Sequence, residues 1–159
     1  MAWNKSMPAL CLLCAFLLLP AALAAPAALP LTPEDLDVLL GEEVLTLDVP
    51  AAPLLLALDR EGIRLTKREV DSCLFPGKDR EFSDDQLLIG TLPRGVRGAD
   101  VVETIMVLGG EYVTRRGIGI GSAGQDILAA YGEAALKDYD LLIYHLPGQP
   151  EGPWLVFVM

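Results

Sequence analysis

Histidine, cysteine, aromatic and basic residues are all scarce in this chain of 159 residues, and each shortage excludes something. One His and three Cys leave too few nitrogen and sulfur ligands for a zinc centre. Twelve Lys and Arg stand against 22 Asp and Glu, for a net charge of -10 and a pI near 4.4. Polyanion binding needs cations that displace counterions, so nucleic acid is excluded as a partner. Aromatics are 6% of the residues, which leaves few anchors for a stacking surface. The length suits one domain, or two very small ones, with a core that needs no disulfide or metal.

The N-terminus is of a different kind. Lys5 precedes an apolar run over 8–19, Pro20 breaks it, and Ala22-Leu23-Ala24 follows as an A-x-A site. This predicts a signal peptide over 1–24, cleaved near Ala24; the run is too short to span a bilayer, so no stable membrane span is expected after cleavage. Cys11 and Cys14 lie inside the apolar run and leave with it. Cleavage removes one Lys and no acid, so 11 basic residues face 22 acidic ones and the net charge becomes -11. Cys73 is then alone, which rules out an intramolecular disulfide. Alternation over 70–75 places it on a strand face with Phe75, and that predicts burial.

Residues 25–43 form an N-terminal arm with a short helix: Thr32 as cap, Pro33 next, acids in the first turn, Leu36, Leu39 and Leu40 at helical spacing, Gly41 as stop. Strand patterns follow over 43–49, 63–66, 70–75, 86–92 and 101–108, with a helix over 51–58. Pro76-Gly77, Ser83-Asp84-Asp85 and Pro93-Arg94-Gly95 mark turns. Beyond residue 111 come a glycine-rich turn, a helix capped by Ser122 with Gln125, and strands over 141–146 and 154–158. The helices share an aliphatic pair and a following Leu or Tyr, with Leu54 and Ile127 separated by 73 residues. That suggests a first repeat over 44–110 and a second over 111–159 that lacks its last strand.

Gly119 to Gly124 spell G-x-G-x-x-G before a helix, with Asp138 and Asp140 about 20 residues on. The charged segment before it is no buried first strand, and too little chain follows for a dinucleotide fold. The glycines are read as turn residues, and no cofactor is expected. His145 lacks a marked nucleophile and an orienting acid. The acidic pairs lack a calcium-loop pattern and suit turn caps.

The stretch 112–122, with Asp126-Ile127-Leu128 and Tyr131-Gly132, resembles a signature of exported bacterial domains with the β-lactamase-inhibitor-protein-like fold, a construction shared by the small SmpA/OmlA lipoproteins. The first half looks like the preceding copy in bacterial surface proteins, on Ser72-Cys73, Gly77 with Asp79, Ile89 with Thr91, and a strand over 102–105. The likeness covers about residues 48–158. It implies an α+β fold: a curved antiparallel sheet, short helices on one face, two pseudo-repeats. It also implies action by binding a protein or cell-wall partner outside the cytoplasm, without catalysis. The alternative is a small-ligand or peptide module in which Trp154, Tyr144 and His145 line a cleft. Those three residues, with the basic pair Arg115 and Arg116, are the expected partner contacts.

Overall fold

A computed structural model describes residues 30–159, so the signal peptide expected over 1–24 and residues 25–29 of the arm lie outside the described residues. The arm forms one 3-10 turn, Pro33–Leu36, and not a helix reaching Leu40. Asp35 folds back on the start of this turn and accepts from the Thr32 N–H at 2.8 Å and hydroxyl at 3.1 Å. Asp37 is already extended. Val38–Leu40 (β1) and Glu43–Leu45 (β2) then pair as an antiparallel hairpin. Three aliphatic residues fit a helix or a strand equally well; Gly41, at φ +57 in a two-residue turn, selects the hairpin.

Ala51–Arg60 (α1) buries Ala51, Leu54 and Leu58. Its entry is tied to the sheet it covers by Ala51 N–H donating to the Asp100 carbonyl at 2.9 Å and Asp48 N–H to that of Val102 at 2.9 Å. The sheet is a meander of Thr66–Asp71 (β3), Lys78–Ser83 (β4), Leu87–Leu92 (β5) and Val101–Val107 (β6), ordered β3-β4-β5-β6. In β5, Leu87 and Ile89 face α1 and are fully buried, and Val102 of β6 joins them.

The expected strands over 63–66 and 70–75 are one strand in a different frame, and β4 carries no apolar alternation that would announce it. These two strands are held by charge: Lys78 meets Asp71 at 2.8 Å, Arg80 meets Glu69 at 3.4 Å, and Arg80 also pairs with Asp100. Opposite charges across a ladder replace the apolar contacts that hydrophobic periodicity detects. Cys73 lies beyond the end of β3 and is exposed, contrary to the expected burial. Ser72 Oγ accepts from the N–H groups of Leu74 and Phe75, at 3.3 and 3.2 Å. That local turn removes Cys73 from any strand face.

Val113–Thr114 (β7) pairs with β1 and not with a neighbour in sequence, giving a three-stranded sheet β2-β1-β7. Tyr112, just before it, packs in the first core with α1 and β5. Gly124–Tyr131 (α2) follows. Its cap is not the expected Ser122 with Gln125: Asp126 accepts from the Ala123 N–H at 3.1 Å, while Ser122 Oγ accepts from Gly119 N–H at 3.1 Å. Leu136–Asp138 (β8), Leu141–His145 (β9) and Trp154–Val158 (β10) make a third sheet, ordered β10-β9-β8. β8, only three residues long and exposed throughout, is absent from the sequence expectation. The α+β class stands, with the described strands in three antiparallel sheets and each α-helix leading into a meander of four or three strands.

Candidate interaction surfaces

Arg115 and Arg116 follow β7 directly, and each is committed within the protein. Arg116 Nε donates to Asp35 Oδ1 at 2.7 Å and Nη2 to Oδ2 at 2.5 Å, a two-pronged pairing with a buried carboxylate. It also donates to the carbonyl oxygens of Ala130 (2.8 Å) and Pro30 (3.0 Å), and its guanidinium lies 4.7 Å from the centre of the Tyr131 ring. Arg115 donates through Nε and Nη2 to Asp37 Oδ2, at 3.0 and 2.8 Å. Two buried carboxylates two residues apart would be costly without these cations. The Arg116 guanidinium holds the Asp35 carboxyl below its usual range. The basic pair is therefore a clasp joining the arm to β7 and α2, with Arg115 still partly exposed.

Tyr144 is likewise internal. It is 5% exposed and donates from its hydroxyl to the Gly132 carbonyl at 2.9 Å. Tyr131, Tyr144 and Phe157 form an aromatic cluster with ring centres 5.4 to 6.0 Å apart, the second core beneath α2. Burial pushes the Tyr131 and Tyr144 phenols up. His145 is half-buried, with Nδ1 3.2 Å from the Leu146 carbonyl. His145 ends β9, whereas Cys73 lies in the bend after β3 and in no strand.

Trp154 differs from the others: it is 54% exposed, its indole N–H donating to the Pro150 carbonyl at 2.9 Å. It sits opposite His145 in the ladder, and the next rows are Val156 with Ile143 and Val158 with Leu141. Leu136 extends the Ile143 row on β8. The alternate residues Leu142, Tyr144, Leu155 and Phe157 point to the aromatic core, so the outward face of this sheet is apolar apart from His145 and Asp138. Val156 is 43% exposed, Leu136 56% and Val158 77%. Among the described residues no helix covers them; α2 lies on the other face.

The chain matches no family model, no curated protein and no solved structure.

Two depressions add detail. One, of about 380 Å³, is lined by Leu31, Glu133, Tyr144 and His145 beside α2, without Trp154. The other lies on the outward face of the four-stranded sheet over Gly90. Among the described residues no group of three ligating side chains converges on a metal position, and no helix is long and apolar enough to cross a membrane. In the glycine motif, a Cβ at Gly119 would stand 2.8 Å from the Tyr112 carbonyl oxygen, and Gly117 and Gly121 have φ of +77 and +87. Close backbone approach and left-handed turns account for those glycines.

Sequence reasoning named Trp154 but missed Val156, Val158, Ile143 and Leu136. Every residue over 154–158 is apolar, so composition does not distinguish the buried face from the open one. Strict period two, combined with a helix supplying only one covering layer, was the signal available.

Proposed function

We propose that this chain is an exported, non-catalytic interaction domain of the bacterial cell envelope or surface, and that it docks a protein through the outward face of β8–β10. The observation behind this reading is the uncovered apolar face centred on Trp154, Val156 and Ile143. Contiguous apolar surface of this kind costs solubility and is characteristic of protein contacts. The leader over 1–24 supports export, and the acidic balance supports a protein or cell-wall partner over nucleic acid. The similar helix-then-meander order of the two halves supports their reading as repeats of a β-lactamase-inhibitor-protein-like unit.

A photo-crosslinking residue placed at 154 in the full chain, expressed in a bacterial host, tests the docking face. A discrete protein adduct is expected, absent when the crosslinker is moved to exposed position 97 in the β5–β6 connection. Equal labelling from both positions would count against the face. Mass measurement of the secreted form should give a chain beginning at Ala25, and a retained leader would overturn export.

A second reading, a small-ligand or peptide module, is favoured by the depression beside Tyr144 and His145, whose size suits a small molecule. A metabolite retained through purification, with no adduct at 154, would select it.

A further inference from the structure

The edges of the sheets, as distinct from their faces, carry a contrast of their own. A free edge pairs readily with another chain, and proteins guard against that with charge, proline, brevity or cover. Most edges among the described residues are guarded. β3 carries Lys67, Arg68 and Glu69, and β2 and β8 are three residues long and bear charge. β7 is met by the glycine-rich turn, with Thr114 N–H donating to the Ile118 carbonyl at 2.8 Å. β6 carries Glu103, and its start is covered by the chain before α1, with Val102 N–H donating to the Val49 carbonyl at 2.9 Å.

β10 has none of these devices. Its five residues include no charge and no proline, and it pairs on one side only, with β9. Pro33–Leu36 lies beside it and makes no backbone bond to it. The Met159 N–H donates to the Asp140 carbonyl at 2.8 Å, and this fixes the alternation of the ladder. Leu155 and Phe157 bond towards β9, while Trp154, Val156 and Val158 turn their backbone N–H and C=O groups to the open edge. In the first meander the third strand, β5, has β6 at this position.

We propose that the edge of β10 pairs with the same edge of a second copy of this chain, antiparallel about a two-fold axis at Val156, to join two three-stranded sheets into one of six. Charge favours a second copy at this place. Molecules of net charge -10 repel one another, and an uncharged strand lets two copies meet without opposing like charges. The two-fold sets Val156 opposite its own copy and Trp154 opposite the copy of Val158, so every row stays apolar, and the backbone groups of three residues on each side gain partners. The outward side chains remain uncovered, and the row of Leu136, Ile143 and Val156 continues into the second copy. This pairing uses backbone in the plane of the sheet and does not depend on what docks on the face. Each chain keeps both of its cores, so dilution should give folded monomers.

Sedimentation equilibrium of the purified protein should show a reversible monomer–dimer equilibrium and no larger species; monomer alone up to about 1 mM would overturn the proposal. Oxidative trapping, with the native cysteines changed to Ser, tests the register. Val156→Cys should give a disulfide-linked dimer, because directly paired Cα atoms lie about 5.5 Å apart. Val158→Cys should not, since the two-fold sets its copies about 13 Å apart. Equal trapping at both positions would overturn the pairing. Val156→Pro removes an N–H that β9 does not use, so the dimer should be lost with far-UV circular dichroism unchanged. A dimer that survives this change, or a chain that fails to fold, would overturn the free edge. Leu136→Lys, on the far strand, should leave the dimer intact while removing adducts with other proteins from position 154. An adduct at 154 of twice the chain's mass supports the pairing, whereas a monomer that captures only a different protein would sink it and leave the docking face standing.

Discussion

The four-stranded and three-stranded sheets each put one face under an α-helix, and they differ in what they do with the other. On β3–β6 the outward face carries Arg68, Asp79, Glu81 and Thr104 around a glycine gap. On β8–β10 it carries Leu136, Ile143, Trp154, Val156 and Val158. The inner faces differ too: the first core is aliphatic apart from Tyr112, the second an aromatic triangle of Tyr131, Tyr144 and Phe157. One layer plan thus supports a self-sufficient sheet whose open face is solvated, and a smaller one whose open face calls for cover.

The clasp between arm and second half should give the largest effect. Arg116→Met leaves Asp35 buried and unpaired, and removing one partner of such a pair costs about 3–5 kcal/mol. Urea unfolding should show that loss, with the transition of β8–β10 separating from that of β3–β6 if the clasp is what couples them. Core truncations sharpen the comparison: Leu58→Ala and Leu142→Ala, each at a fully buried site, should cost about 2–5 kcal/mol. Hydrogen exchange should then report local opening in the first sheet for Leu58→Ala and in the third for Leu142→Ala. Exchange that rises equally in both sheets for either variant would show that the halves have no separate stability.

Acid should weaken the clasp. Asp35 titrates lower in the folded chain than its unfolded value of about 3.9, so its pairing stabilises fully above that value. The contribution is lost as pH falls through the lower folded pKa. Stability measured from pH 5 to pH 2 should fall in the wild type, and that component should be missing in Asp35→Asn. The smallest change in folding free energy belongs to the open face: Val156→Lys should alter stability by no more than about 0.5 kcal/mol while raising solubility and abolishing the adduct at 154.

Legibility in the sequence followed hydrophobic pattern. α1, α2, β5, β6, β9 and β10 are visible because each buries one face against a core, and period 3.6 or period 2 records that burial. β3, β4 and β8 leave no such trace: Lys78-Asp79-Arg80-Glu81 is a ladder of cross-strand charges, and charges in a row read as solvated loop. The arm misled for another reason. Leu36, Leu39 and Leu40 satisfy helical spacing, but β7, more than 70 residues away, supplies a strand for Val38 and Leu39 to pair with. Arg115 and Arg116 were legible as basic residues and not as a clasp, because their partners Asp37 and Asp35 lie 78 and 81 positions earlier.

The placement of β1 between β2 and β7 has a kinetic side. On a chain delivered N-terminus first, residues 35–39 emerge early, yet the residues that pair with them at 113–116 come more than 70 residues later. Closing a loop of that length is entropically slow. Until it closes, Asp35 and Asp37 are ordinary solvated acids and the aromatic cluster lacks its strap. Completion of this protein is therefore timed by its latest long-range closure, and refolding monitored through Tyr131 and Tyr144 should lag behind formation of the four-stranded sheet.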